Sequence, residues 1–214
     1  MKENGKLLSR KAGQVFHAQD FPAAMFMLKS GYVKRYQVTN AEQPVIELIY
    51  GPTHIFPLSQ LYKKIFGMDM NQEDLVYVYQ AMTDMEIWRV DDDVLMEALE
   101  NNHDLYIDVF FEAGLRLKAN IDRLASNAQK DEYKKVAHLL VCLADEFGKP
   151  VTHKGKPATK IDLPLDPKDV AEQLNISVQI ADAVINSLSK DKYIIMNGTT
   201  ILVPDTHFLK DVYL

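Results

Sequence analysis

Cys142 is the only cysteine in the 214 residues. A lone thiol excludes an intrachain disulfide, and also a metal cluster held by several thiolates of one chain, and it fits a reducing cytoplasm. Long apolar runs are missing as well. No stretch approaches the roughly 20 residues that a bilayer-spanning helix needs, and the opening MKENGKLLSRK lacks the apolar core of a signal peptide. A soluble, cytoplasmic protein with no membrane partner is the expectation. Positive charge is in short supply, with 24 Lys and Arg against 30 Asp and Glu and a formal net charge of −6. Any contact with nucleic acid must therefore come from a local patch. Catalytic signatures are lacking too: there is no phosphate-cradling glycine loop, no nucleophile elbow and no histidine–carboxylate pair at a catalytic spacing. The acidic triplet Asp91-Asp92-Asp93 could bind a divalent ion, but a helix start explains it better. An enzyme is not expected.

What is present is apolar and patterned. Nearly half of the residues, 47%, are hydrophobic, enough for one large core or two modest ones. Up to about residue 90 the chain reads as short strands rich in β-branched and aromatic residues: QVFHA, AMFML, YVKRYQV, PVIELIY, LVYVYQAM and MEIWRV. Turn formers separate them at Gln19-Asp20, Ser30-Gly31, Asn40-Ala41 and Gly51-Pro52, and such close spacing points to a sandwich or roll. In YVKRYQV, Tyr32, Lys34, Tyr36 and Val38 fall on one face and Val33, Arg35 and Gln37 on the other, as in a half-solvated antiparallel strand. LSQLYKKIFG, residues 58–67, places Leu58, Leu61, Tyr62 and Ile65 on one side of a short helix inside the roll.

From Asp91 the period becomes helical. DDDVLMEALENN opens with acidic residues, and DLYIDVFFEAGLRLKANIDRLASNAQ continues without proline. Tyr106, Val109, Phe110, Ala113, Leu117, Ile121 and Leu124 lie near heptad spacing. An identical chain is the simplest source of a helix to cover that seam; the alternative is packing on the chain's own roll. Gly114 in mid-helix suits close approach of either kind. EYKKVAHLLVCLADEFG is amphipathic through Val136, Leu139, Leu140, Leu143 and Phe147, with Gly148 ending it, and KPVTHKGKPATK reads as a polar, basic loop. The domain boundary falls near residues 126–131, which divides the chain into a roll over 1–103, a dimerisation helix over 104–128 and a C-terminal domain over 129–214.

LDPKDVAEQLNISVQIADAVINSLSKDKYI, residues 165–194, has the spacing of a helix-turn-helix. Asp166 and Pro167 open the first helix, which buries Val170, Ala171 and Leu174. Asn175 suits a left-handed corner, Ile176 plugs it, and Ser177 caps the second helix. On a wheel, Ile180, Ala181, Val184 and Leu188 form the buried side, leaving Gln179, Asp182, Ala183, Asn186 and Lys190 outward. YIIM and TTILV, joined through Asn197-Gly198, form a hairpin and make the unit a winged helix.

The order of these parts, together with LKSGYVKRYQV (28–38), YGPTHIFPL (50–58) and the run from Leu165 to Ile194, resembles the cyclic-AMP receptor protein/FNR family of bacterial transcription regulators. The resemblance implies an α+β chain: an N-terminal antiparallel β-roll of the cyclic-nucleotide-binding jelly-roll type, a long dimerisation helix, and a C-terminal winged helix-turn-helix. It implies a homodimer that places two reading helices in successive major grooves of double-stranded DNA and works with RNA polymerase. Family members commonly carry Ser-Arg-Glu-Thr-Val-Ser-Arg at the start of the reading helix, where this chain has Ser177, Val178, Gln179, Ile180, Ala181, Asp182 and Ala183. Both arginines are gone, and Arg123 is the last in the chain. What remains suits A·T-rich half-sites of a palindrome: Gln179 and Asn186 for adenine edges, Val178 or Ala183 for a thymine methyl, and Lys190 with Lys192 for phosphates. Asp182 on the same face repels phosphate unless it accepts from a cytosine amino group.

The cyclic-nucleotide members use a Gly-Glu-Leu box and an Arg-Ser or Arg-Thr pair, which residues 54–82 lack. Cyclic AMP is therefore not the expected effector, no cofactor is assigned, and an unidentified small molecule remains open. Lys63 and Lys64 could meet a phosphate, though a solvated helix face is the plainer reading. His17, His54 and His103 could serve haem but read as ordinary turn or surface histidines. His138 and Cys142 could share one side of a metal ion but lack a third ligand. The nine methionines read as core filler. The aromatic residues Phe56, Tyr62, Phe66, Tyr77, Tyr79 and Trp88 fit either a pocket for an apolar effector or a roll core.

Overall fold

The computed structural model describes residues 5–17, 20, 23–38, 44–58, 64–65, 67 and 76–213. The chain forms two compact units, Met1–Lys118 and Ala119–Leu214, so the division falls inside a helix rather than at either of its ends.

In the first unit the strands are β1 (Lys6–Arg10), β2 (Val15–His17), β3 (Ala24–Ser30), β4 (Val33–Val38), β5 (Val45–Tyr50), β6 (Ile55–Phe56), β7 (Val76–Ala81) and β8 (Met85–Asp91). They build two four-stranded antiparallel sheets, ordered β1-β8-β3-β6 and β2-β7-β4-β5. Chain neighbours are mostly not sheet neighbours, which is the roll expected from the strand spacing. Phe26 and Phe56 of one sheet meet Phe16, Tyr50 and Tyr79 of the other, with ring centroids 4.8–6.4 Å apart. Burying rings of this size supplies much of the roll's stability. Gly31 turns β3 into β4 at φ +83°, and a Cβ there would lie 2.5 Å from the Asp84 carbonyl oxygen, so only glycine fits.

Two expectations change in this unit, and a third is not tested. β1 and β6 were not apparent in the sequence pattern; their partners β8 and β3 lie far away in the chain. β4 is not half-solvated: Val33 and Lys34 are both buried, and a bulge between Arg35 and Tyr36 breaks the alternation. As an inner strand it pairs on both sides, and Arg35 is covered against Glu47 at 2.9 Å. The helix expected over 58–67 lies for the most part outside the described residues, with 58 and 64–65 helical.

α1 (Asp92–Asn101) and α2 (His103–Asn127) follow. Leu95 and Leu99 of α1 and Val109 of α2 close a core with Met25, Ile55 and Val90, against which Tyr106 packs half-buried. Val109 was expected on the dimer seam. At 3% exposure it belongs to its own chain's core, because heptad spacing does not distinguish a flank covered by the roll from one left open.

In the second unit, after the end of α2, come α3 (Glu132–Phe147), β9 (Gly148–His153), β10 (Lys156–Ile161), α4 (Pro167–Leu174), α5 (Val178–Lys190), β11 (Ile195–Asn197), β12 (Thr200–Val203) and α6 (Thr206–Lys210). Asp131 caps α3 by accepting from the Lys134 N–H at 2.8 Å, and Val136, Leu139, Leu140, Leu143 and Phe147 are buried as the amphipathic pattern requires. Each such burial is worth about 1.5–3 kcal/mol. Gly148 ends the helix at φ −74°; its lack of a side chain matters for space, since a Cβ would overlap the Ala144 carbonyl oxygen. The stretch KPVTHKGKPATK is not a loop but the hairpin β9–β10, completing a sheet ordered β11-β12-β10-β9. Its two-residue turn, Lys154-Gly155, has both φ positive at 49° and 76°, the arrangement that matches strand twist. Two prolines and four lysines conceal the alternation in the sequence. No helix among the described residues is long and apolar enough to cross a membrane.

Candidate nucleic-acid interface

The helix pair α4–α5 is assembled from local signals. Asp166 accepts from the Asp169 N–H at 2.8 Å while Asp169 accepts from the Asp166 N–H at 3.4 Å, a reciprocal cap with Pro167 as the first helical residue. Asn175 ends α4 in the left-handed conformation (φ 51°, ψ 47°), and Ile176 is buried in the corner. Ser177 accepts from the Ile180 N–H at 3.2 Å and starts α5. Asn127, at the end of α2, donates to the Gln173 carbonyl at 3.2 Å, which ties that helix end to α4.

The buried side of α5 is Ala181, Ile185 and Leu188, with Val184 half-buried. Ile180, expected inside, is 40% exposed, and Ile185, not singled out from the sequence, is 3% exposed. At 100° per residue Ile185 lies 40° from Ala181 whereas Ile180 lies 100° away, so the arc that meets the rest of the unit is shifted towards Ile185. Val178, Gln179, Asp182, Ala183, Asn186 and Lys190 are all exposed. Gln179, Ala183, Asn186 and Lys190 run along one line at i, i+4, i+7 and i+11, and Ser177 sits at its start, engaged in capping. Asn186 Nδ2 donates to Asp182 Oδ2 at 3.2 Å across one turn. Lys192 lies just past the helix, exposed, with φ 66°. Between the two lysines, Asp191 accepts from the Tyr133 hydroxyl at 2.9 Å. A hydrogen-bonding, weakly charged surface is therefore open to a groove, with both cations at its C-terminal end.

The wing follows. β11 and β12 pair antiparallel, and their loop is Gly198-Thr199 rather than Asn197-Gly198, since Asn197 still pairs with Thr200. A positive φ at Gly198, the first loop residue, makes that turn possible. The Leu165 N–H donates to the Thr199 carbonyl at 3.0 Å and holds the wing turn to the entry of α4. The basic β9–β10 turn points to the other end of the same sheet, because β10 pairs with β12 through Thr159–Val203 and Ile161–Ile201.

On α2, Phe110 and Leu117 are 63% and 62% exposed in the first unit, next to exposed Ile107 and Phe111, which the heptad reading passed over. Ala113 is half-buried. Ile121 and Leu124, on the part of the helix in the second unit, are exposed as well.

The sensing candidates are placed as follows. Arg116 of α2 is buried, with Nε 3.0 Å from Glu112, one terminal guanidinium nitrogen (Nη1) 3.4 Å from the Ile49 carbonyl and the other (Nη2) 3.4 Å from His54 Nε2. His54 Nδ1 accepts from the Gly51 N–H at 3.0 Å. Burial, reinforced by the Arg116 charge, lowers its pKa to about 3 and keeps the ring neutral. Lys64 is held by Asp93 at 2.7 Å, and Lys63 lies outside the described residues. Phe56 and Tyr79 are in the closed aromatic core and Trp88 is half-buried; Tyr62 and Phe66 lie outside the described residues, as does the side chain of Tyr77. Met25 and Met85 are core residues, and Met68 and Met70 are not described. His17 is half-buried in β2 and His103 is exposed at the start of α2. His138 meets Ser126 Oγ at 2.7 Å and Cys142 Sγ at 3.6 Å. Among the described residues no three His, Cys, Asp or Glu converge as metal ligands.

Neither a family model nor a curated protein matches the chain. Solved structures do. A CooA variant from Carboxydothermus hydrogenoformans superposes with a TM-score of 0.76 at 18% identity, covering 99% of this chain and 89% of that one. FixK2 from Bradyrhizobium japonicum gives 0.74 at 14% identity over 98% of both chains. A CRP/FNR-family transcriptional regulator from Thermus thermophilus gives 0.65 at 18% identity over 97% and 98%. The chain shares the α+β fold of these three structures over 97–99% of its length.

Proposed function

We propose that the protein is a cytoplasmic, homodimeric transcription regulator that binds double-stranded DNA through α5, and that it is not an enzyme. The observation that carries this is the open polar line Gln179–Ala183–Asn186–Lys190 on the second helix of a helix-turn-helix, beside a wing. Gln179 and Asn186 have the amide groups that pair with adenine edges. Val178, Ala183 and the exposed Ile180 supply apolar contacts for thymine methyls. Lys190 and Lys192 reach phosphates. With no arginine on the helix, the expected site is a palindrome of A·T-rich half-sites. Asp182, the one acid on the reading face, lowers affinity for any duplex by repelling phosphate.

The exposed apolar residues of α2, chiefly Phe110, Leu117, Ile121 and Leu124, support pairing with a second copy, which sets two reading helices about one DNA turn apart. RNA polymerase is the downstream partner by resemblance, and the roll is the place for a small-molecule effector of unknown identity. Selection of bound fragments from a random duplex pool tests the reading. The expected result is a palindrome with half-site centres roughly 10 base pairs apart and affinity that falls steeply with salt. Binding that is no tighter than to random duplex at every salt concentration refutes it and favours an assembly module whose winged helix has lost its operator.

A further inference from the structure

We propose that Asp182 is a positioning residue for Asn186: its carboxylate holds the asparagine carboxamide in the one sense that reads adenine. This rests on the DNA-binding reading above and concerns how that site discriminates.

Asp182 and Asn186 are four residues apart on α5, both exposed, and Asn186 Nδ2 donates to Asp182 Oδ2 at 3.2 Å. Residues at i and i+4 are neighbours on a helix surface. A carboxamide nitrogen carries two hydrogens, and only one is used by Asp182. With the carboxylate on the hydrogen that points away from the carbonyl oxygen, the second hydrogen and that oxygen remain side by side, the donor–acceptor pair that matches adenine N7 and N6. An unheld asparagine at an exposed position turns about its last torsion and presents nitrogen and oxygen in either order. An ionised carboxylate only accepts. Beside it, the reversed amide would set oxygen against oxygen, so the correct order is selected before DNA arrives. The acid that repels phosphate thereby serves selectivity, and its effects on affinity and on discrimination have opposite signs.

Dissociation constants for the selected palindrome, and for versions changed one base pair at a time, at fixed salt, test this with the full-length protein. Asn186→Ala first identifies the base pair that Asn186 reads. Asp182→Ala should lose adenine preference at that same pair by about twofold or more, yet by less than Asn186→Ala, because the freed carboxamide can still turn to the right order, while binding non-cognate duplex more tightly than the wild type. Asp182→Asn, whose amide accepts in one orientation and donates in the other, leaves both orders open to Asn186 and should lose the preference as Asp182→Ala does. Asp182→Ala should add no further loss of preference to Asn186→Ala. Full adenine preference in Asp182→Ala would overturn the proposal. So would a loss confined to a base pair that Asn186→Ala leaves alone, which would mean that the carboxylate reads a base amino group itself. If the wild type selects no sequence from the pool, both the proposal and the regulator reading fall; if it selects one and Asp182→Ala discriminates as well as the wild type, the proposal alone does.

Discussion

Both units carry charged and amide side chains in quantity, and they use them in opposite ways. In the roll, Arg35 and Glu47 lie 2.9 Å apart with both side chains mostly covered, and buried Arg116 spans Glu112, the Ile49 carbonyl and neutral His54. In the second unit the buried acids Asp169 and Glu172 are engaged as well, Asp169 in a reciprocal cap and Glu172 facing Lys168 at 3.7 Å, while the polar side of α5 is open. A covered charge is committed to its partners, because leaving it unpaired costs several kcal/mol. An exposed amide loses only water and is free to trade that water for a base edge. The contrast separates polar groups that hold a fold together from polar groups available to a ligand.

The sharpest way to break the comparison is on α2, where apolar residues of the same heptad pattern differ in cover. Val109→Glu should place an uncompensated charge in the roll core and unfold the first unit, or cost several kcal/mol in chemical denaturation. Leu117→Glu should leave the unfolding midpoint of the monomer unchanged and halve the mass in solution. Equal stability losses for both would show that Leu117 is as covered as Val109.

Next in size is Arg116→Met, which takes the buried cation away from the largely covered Glu112 and should cost about 3–5 kcal/mol. A loss below about 1 kcal/mol in urea titration would place the pair among surface ion pairs. The corresponding removal on α5, Lys190→Ala, should leave stability unaltered and weaken binding to every duplex alike.

The third effect is read as a slope. His54 stays neutral in the folded chain down to a pKa of about 3, whereas in the unfolded chain it takes up a proton near its ordinary value of 6.5. The unfolded state therefore binds more protons between those values. The stabilisation is fully present above pH 6.5 and is lost as pH falls towards 3, at up to about 1.4 kcal/mol per pH unit. His54→Asn should flatten unfolding free energy against pH between 4 and 6.5. An unchanged slope would mean that the ring is solvated.

Much of the second unit could be read from the sequence because its signals are local. Asp166-Pro167, Asn175 and Ser177 each act on backbone groups within a few residues, and each has the expected role. The hairpin β9–β10 escaped notice because lysines and prolines mask its period, although Lys154-Gly155 marks its turn. In the roll, β1 and β6 are short pieces whose strand character comes from partners distant in the chain. Of α5, the outward line was legible, while the exposure of Ile180 and the bond from Asn186 to Asp182 were not.

By itself, then, the sequence determined the caps and corner of α4 and α5, the amphipathic face and stop of α3, and that no arginine stands on α5, since each of these follows from residues within a few turns of one another. The tertiary structure alone decided that Val109 faces inward while Leu117 does not, that Arg116 and His54 are covered, and that the apolar arc of α5 centres near Ile185. Those outcomes depend on which surfaces meet, and periodicity records only that a side is apolar, not what comes to cover it.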